Sequence, residues 1–259
     1  MCSSAKRGLP WFMVSVGFLI CFPSPAEEVT VAVAANFAAP MQKIAQAFAQ
    51  DTGHQAQLAF GATGKFYAQI KNDAPFAVLL SADQATPVRI ENEGLAIAGT
   101  RFTYATGRLA LWSKNPTLVD DKGQVLRANS TDKRGFRKLA LADPKLAPYG
   151  AAAMQVIERM GVGTQVAPKL VYGDSMGQTF QLVMTQNADL GFVAVSQITI
   201  NGRITQGSAW LVPQDYYTPL KQDAVLLTRG KDNPAALALL KYLRSARAQT
   251  IIRAYGYTL

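Results

Sequence analysis

Cysteine is missing from this chain beyond position 21. The sequence holds two, Cys2 and Cys21, and both lie in its first segment. A chain without later cysteines has no disulfides, no thiolate metal site and no cysteine nucleophile. Histidine is almost as scarce. His54 is the only one, in the polar turn Asp51-Thr52-Gly53-His54, where it reads as an exposed loop residue. The remaining candidate metal ligands are scattered carboxylates, so no metal centre is expected. No basic stretch is interleaved with aromatics, which argues against nucleic acid. Charged residues make up 17% and apolar residues 49%, a balance that excludes a disordered chain and allows a substantial core.

Long hydrophobic runs are also lacking, with one short exception. Leu9 to Phe22 is mostly apolar but too short to span a bilayer well, which takes about 20 residues. Lys6 and Arg7 precede it and Ser24-Pro25-Ala26 follows, the layout of a cleaved secretory signal. Residues 1–26 are therefore read as a signal peptide, with the exported chain starting at Glu27. Ile20, rather than a small residue, precedes Cys21, which argues against lipid attachment there. Lys6 and Arg7 account for two of the nine net positive charges, leaving seven. An excess of that sign suits an anionic ligand, although dispersed residues such as Arg127, Lys133, Arg134, Arg137 and Lys138 read mainly as solvated faces.

What is present is an alternation of short apolar runs with helical patterns. Val29 to Ala34 is β-friendly, and Met41, Ile44, Ala45 and Phe48 then fall on one helical face. Gln57–Phe60, Phe76–Leu80, Leu109–Trp112, Lys138–Ala142, Leu190–Val195 and Ala224–Thr228 are further expected strands. Ala153, Val156, Ile157 and Met160, and later Ala236, Leu239, Leu240 and Leu243 after Pro234, repeat the helical spacing. The pattern implies an α/β fold with mainly parallel sheets. The length predicts two lobes, with the chain crossing near Thr106 and Pro219.

Four of the strand ends run into small, hydroxyl or amide residues just before a helix. These are Ala34-Ala35-Asn36, Gly61-Ala62-Thr63-Gly64, Pro148-Tyr149-Gly150 and Asp174-Ser175-Met176-Gly177. A helix start presents unpaired N–H groups and about half a positive charge, and several together form a cage for a small anion. Asn36 serves equally as a helix cap or as a donor to a ligand. Gly61–Lys65 fails the phosphate-loop spacing, because Ala59 stands where the first glycine belongs and Phe66 follows the lysine. Gly173-Asp174-Ser175-Met176-Gly177 matches G-x-S-x-G, which raises a serine hydrolase using Ser175. His54 lies upstream, however, where that reading needs a downstream histidine. Asp83, Asp143 and Asp174 each follow a strand and read as turn or cap residues.

Val31-Ala32-Val33-Ala34-Ala35-Asn36-Phe37, Phe60-Gly61-Ala62-Thr63-Gly64-Lys65-Phe66-Tyr67-Ala68-Gln69-Ile70, Leu80-Ser81-Ala82-Asp83, Leu190-Gly191-Phe192-Val193-Ala194 and Tyr255-Gly256-Tyr257 occur in this order. With these segments the chain resembles the periplasmic molybdate-binding proteins of ABC transporters, from about Val29 to Leu259. The resemblance implies a two-lobed periplasmic binding protein fold, each lobe a mainly parallel sheet flanked by helices, joined by hinge strands. It sets lobe I at 27–106 plus 219–259 and lobe II at 107–218. It implies a monomeric, non-enzymatic carrier without cofactor that takes molybdate or tungstate to a membrane permease. A sulfate or phosphate binder of the same fold is the alternative. Ligand contacts carry over to Ala35, Asn36, Thr63, Tyr149 and Met176, the last through its backbone N–H. Some relatives carry a hydroxyl where Ala35 stands, serine where Thr63 stands, an acid at Ala77, a smaller apolar residue at Met176 and tyrosine at Ala194. Tyr149 is expected to supply the hydroxyl that Ala194 lacks.

Overall fold

The computed structural model describes residue 2, residues 26–128 and residues 135–259. The expected signal segment, apart from Cys2 and Ala26, and the basic residues Lys133 and Arg134 lie outside the described residues. In chain order the first sheet draws on β1 (Glu28–Ala34), α1 (Ala38–Thr52), β2 (Gln55–Gly61), α2 (Thr63–Lys71), β3 (Val78–Leu80), α3 (Ala85–Asn92) and β4 (Phe102–Gly107). The chain then builds a second sheet with β5 (Leu109–Ser113), β6 (Leu139–Ala142), α4 (Pro148–Arg159), α5 (Gly163–Val166), β7 (Leu170–Gly173), α6 (Met176–Met184), β8 (Leu190–Ala194) and α7 (Val195–Ile198). A small hairpin, β9 (Thr199–Ile200) and β10 (Arg203–Ile204), precedes β11 (Ser208–Leu211). The return strand β12 (Leu220–Leu226) and helices α8 (Pro234–Leu243) and α9 (Ala246–Ala254) complete the first layer.

The two five-stranded sheets have the orders β2-β1-β3-β12-β4 and β11-β5-β8-β6-β7. In each, one strand runs against the other four. In the first it is β12, antiparallel to both β3 and β4. In the second it is β5, antiparallel to β8 and β11. The sheets are therefore mixed, and mainly parallel in direction. The reversed strands sit where the chain passes between sheets: β4 ends at Gly107 and β5 begins two residues later, while Gly107 pairs with Leu220 of β12.

The helical spacings produce the buried faces expected of them. Met41, Ile44 and Phe48 of α1 are fully buried against the first sheet, and Gly53 ends that helix in the left-handed conformation that glycine adopts without strain. Asn233 caps α8 by accepting from the Ala236 N–H, with Pro234 in the first turn, where a missing donor costs nothing. Most strand ends fall within one or two residues of expectation, and two starts differ in kind. Phe76 lies in a turn, its N–H donating to the Ala74 carbonyl, and the strand starts at Val78. The last strand starts at Leu220, four residues early, because Gln222 and Asp223 are wholly buried within it.

Candidate oxyanion site between the two sheets

Parallel strands release their loops at the same edge, and ligand sites in such sheets lie there. Here the released loops of the two sheets touch. Ala34, Ala35 and Ala82 from the first share a buried cluster with Ala147, Tyr149, Met176 and Ala194 from the second. The backbone N–H of Gly64 donates to the Leu146 carbonyl at 3.0 Å across the cleft. Lys65 Nζ and Asp174 Oδ2 pair at 2.6 Å on its rim. The Ser196 hydroxyl donates to the Asn36 carbonyl at 2.7 Å. A cavity of about 470 Å³ opens beside these contacts, between Gly64, Ala82 and Asp83 on one side and Leu146 and Pro148 on the other.

The helix starts at this seam are largely uncapped by side chains. The residues before α1, α2 and α4 are Phe37, Ala62 and Ala147, and none contributes a side-chain cap. The first N–H groups of these helices have no acceptor within their own helix. Some of these groups are taken by other backbone carbonyls, Gly64 N–H by Leu146 and Ala38 N–H by Ala35, and the remainder face the seam with the positive end of the helix dipole. Ser175 is the exception, accepting from the Gln178 N–H at 3.4 Å.

The side chains nominated by the resemblance converge, with an important difference at Asn36. Asn36 is not a helix cap. Its amide nitrogen donates to Gln222 Oε1 at 2.9 Å and to the Tyr257 hydroxyl at 3.1 Å. Both amide protons are thereby used inside the protein, which leaves the side chain no N–H to offer a ligand. Thr63, 2% exposed, accepts the Ala82 N–H at 3.0 Å. Tyr149, 1% exposed, accepts from Gln222 Nε2 at 3.1 Å. Among the described residues the Thr63 hydroxyl donates to no protein acceptor, and the Tyr149 hydroxyl has the Tyr257 hydroxyl as a neighbour. Their oxygens accept protein N–H groups, so the Thr63 hydroxyl keeps its proton to give, while the Tyr149 proton is shared between the Tyr257 hydroxyl and the cleft. Ala35 and Met176 line the same cluster with apolar side chains.

Several members of this polar assembly escaped sequence reasoning. Tyr104 donates to the Ser81 carbonyl and Gln222 Oε1, each at 3.0 Å. The Tyr257 hydroxyl donates to the Asn36 carbonyl at 2.8 Å. Gln222 itself was signalled only by a Gln-Asp pair inside an apolar run. Burial drives the Tyr149 and Tyr104 hydroxyls well above the ordinary phenol range, with neighbouring tyrosines adding to it. It pushes Tyr257 up to about 12. All three are therefore neutral donors through neutral and mildly alkaline pH.

Of the aspartates read as turn residues, Asp83 and Asp143 behave so, accepting the N–H groups of Thr86 and Lys145. Asp174 instead spans the cleft to Lys65. His54 accepts the Glu27 N–H at Nδ1, beside the amino end of β1 and so at the edge opposite Ser175. Among the described residues no cluster of metal-binding side chains occurs.

The chain matches the bacterial extracellular solute-binding protein family over residues 29–258. It is 53% identical over 246 residues to molybdate-binding protein ModA of Azotobacter vinelandii, covering 95% of each chain. It is 48% identical over 238 residues to molybdate-binding protein ModA of Rhodobacter capsulatus, covering 92% of this chain and 91% of that one. The solved structure of the Azotobacter vinelandii periplasmic molybdate-binding protein superposes with a TM-score of 0.85 at 38% identity, covering 89% of this chain and 99% of that one.

Proposed function

The chain belongs to the bacterial extracellular solute-binding proteins, and we propose that it captures molybdate, or its congener tungstate, in the periplasm and hands it to an ABC transporter permease. It is a carrier and not an enzyme, in keeping with its ModA relatives. In this reading residues 1–26 are removed on export. Lobe I comprises residues 27–106 plus 219–259, lobe II residues 107–218, and the carrier is a monomer with no business at nucleic acid. Ala35, Asn36, Thr63, Tyr149 and Met176 enclose the ion: Thr63 and Tyr149 through hydroxyls, the rest through backbone.

The observation that carries the reading is the pair of buried hydroxyls. One comes from each side of the seam, and each already accepts a protein N–H, which turns its own proton away from that partner and toward the cleft. Such donors satisfy a dianion without a counter-charge in the cage, and tyrosines raised by burial keep them protonated. Phosphate is served poorly. It carries a proton that needs an acidic acceptor, and Asp174, the one acid among the four loops, is engaged by Lys65. Sulfate is smaller than molybdate, so a rigid cage leaves it with stretched hydrogen bonds.

Parallel calorimetric titrations with molybdate, tungstate, sulfate and phosphate test the reading. Molybdate and tungstate are expected to bind tightly. Sulfate should bind roughly a hundredfold more weakly, the equivalent of losing about 2.8 kcal/mol from bonds to a charged ligand. Sulfate competing on equal terms with molybdate would overturn the size argument. Within the same series, Thr63→Ala should weaken molybdate about tenfold or more, since a hydrogen bond to a charged group is worth roughly 1.5–3 kcal/mol. Unchanged affinity in a folded Thr63→Ala protein would place the ion elsewhere.

A further inference from the structure

Resting on that reading of the site, we propose that Gln222 is a positioning residue for the oxyanion: its amide ties Asn36 of one lobe to Tyr149 of the other and turns the Tyr149 hydroxyl into a donor toward the ligand. Gln222 lies on β12, the strand that returns the chain from the second sheet to the first, and is wholly buried. Its two amide atoms do opposite jobs. Oε1 accepts from Asn36 Nδ2 at 2.9 Å and from the Tyr104 hydroxyl at 3.0 Å. Nε2 donates to the Tyr149 hydroxyl at 3.1 Å. In this orientation the Gln222 carbonyl faces the Asn36 NH₂ and its own NH₂ faces the Tyr149 hydroxyl. With the Tyr149 oxygen held as an acceptor, the phenolic proton is directed away from Gln222.

The hinge backbone is shaped around this contact. A Cβ on Gly107, which pairs with Leu220 two residues before Gln222, would stand 1.9 Å from the Tyr149 hydroxyl and 2.5 Å from Gln222 Nε2. Only a residue without a side chain lets the two meet there. Because Gln222 of lobe I bonds Tyr149 of lobe II, the same contact holds Tyr149 in reach of lobe I when the cleft is closed.

The test titrates the exported protein with molybdate from pH 5.5 to 8, using Gln222→Glu, Gln222→Leu, Tyr149→Phe and the Gln222→Leu/Tyr149→Phe double variant. The native protein is expected to bind with the same affinity across this range. Gln222→Glu places a carboxylate against the Tyr149 hydroxyl, takes its proton away from the ligand and adds a like charge. Its affinity should fall at least about tenfold at pH 8 and recover as pH drops, because a buried carboxyl has a raised pKa and becomes an amide-like neutral group on protonation. Gln222→Leu should weaken binding at every pH, and should cost little further in the Tyr149→Phe background, as residues acting through one another are non-additive. A pH-independent Gln222→Glu protein, or full additivity of the Gln222→Leu and Tyr149→Phe effects, would overturn the positioning role. Failure of the native protein to bind molybdate would instead overturn the site reading on which it rests. Should Gln222→Leu not fold, the reversible pH response of Gln222→Glu decides by itself.

Discussion

Saturating molybdate is expected to raise the melting temperature of the exported protein by roughly 8–16 °C. A ligand that binds only the folded state contributes about 4 kcal/mol at a thousandfold excess over Kd. For 150–250 residues each kcal/mol is worth about 2–4 °C. In the proposed site the ion is gripped from both lobes, because Thr63 and the α1 and α2 starts belong to one sheet and Tyr149, Met176 and the α4 and α6 starts to the other. The contacts Gly64–Leu146 and Lys65–Asp174 describe the closed arrangement, which excludes water and strengthens each donor. Ligand should therefore also reduce the radius of gyration, with Gly107–Leu109 and the segment before Leu220 absorbing the motion as hinge strands. Ser175→Ala should leave both responses in place, since Ser175 is only half-buried and its hydroxyl serves as the cap of α6. Thermal unfolding and small-angle scattering, with and without molybdate, read the two effects separately. A melting temperature that does not move would overturn the carrier reading, and a shift without compaction would overturn closure alone.

Gly150→Ala is expected to be the most damaging methyl that can be added at the seam. A Cβ at Gly150 would sit 2.1 Å from the Ala142 carbonyl oxygen, 2.8 Å from its carbon and 3.1 Å from the Asp143 carbonyl carbon. These are backbone atoms at the end of β6 and cannot swing aside as a side chain does. The start of α4 must move outward, and Tyr149 moves with it, away from Gln222. Overpacking of this kind costs about 1–3 kcal/mol, a fall of roughly 2–12 °C in melting temperature. Molybdate affinity should drop well beyond tenfold, because both the Tyr149 hydroxyl and the helix start are displaced. Gly163→Ala is the control. Its added Cβ meets nothing within 4 Å, and it lies in the first turn of α5, so stability and binding should hold. A Gly150→Ala protein that melts and binds like the native one would show that the approach of α4 to β6 is not constrained as described.

Much of the molecule was legible from local pattern. The alternation of apolar runs and helical spacings led to two α/β layers, and scarcity of cysteine and histidine argued against metal and thiol chemistry. The strand-to-helix junctions at Ala35-Asn36, Thr63, Tyr149 and Met176 were visible because small residues interrupt the periodicity there. Those features are written within a dozen neighbouring residues, and the chemistry of a helix start is a local property.

Tertiary structure decided how those junctions are used. Asn36 reads from sequence as a cap or a ligand donor, yet its amide is spent on Gln222 and Tyr257, partners 186 and 221 residues away. Asp174 reads as a turn residue, and pairs with Lys65 across 109 residues. Gln222 and Asp223 look like the polar edge of a strand, and are buried within it. Gln222 meets Asn36, Tyr104 and Tyr149 there, and Arg101 and Thr103 satisfy Asp223. A polar side chain can enter a core only when its partners arrive with it. The sequence by itself determined which residues could donate; which protons remain for a ligand is determined by pairings between distant segments, to which hydrophobic periodicity is blind.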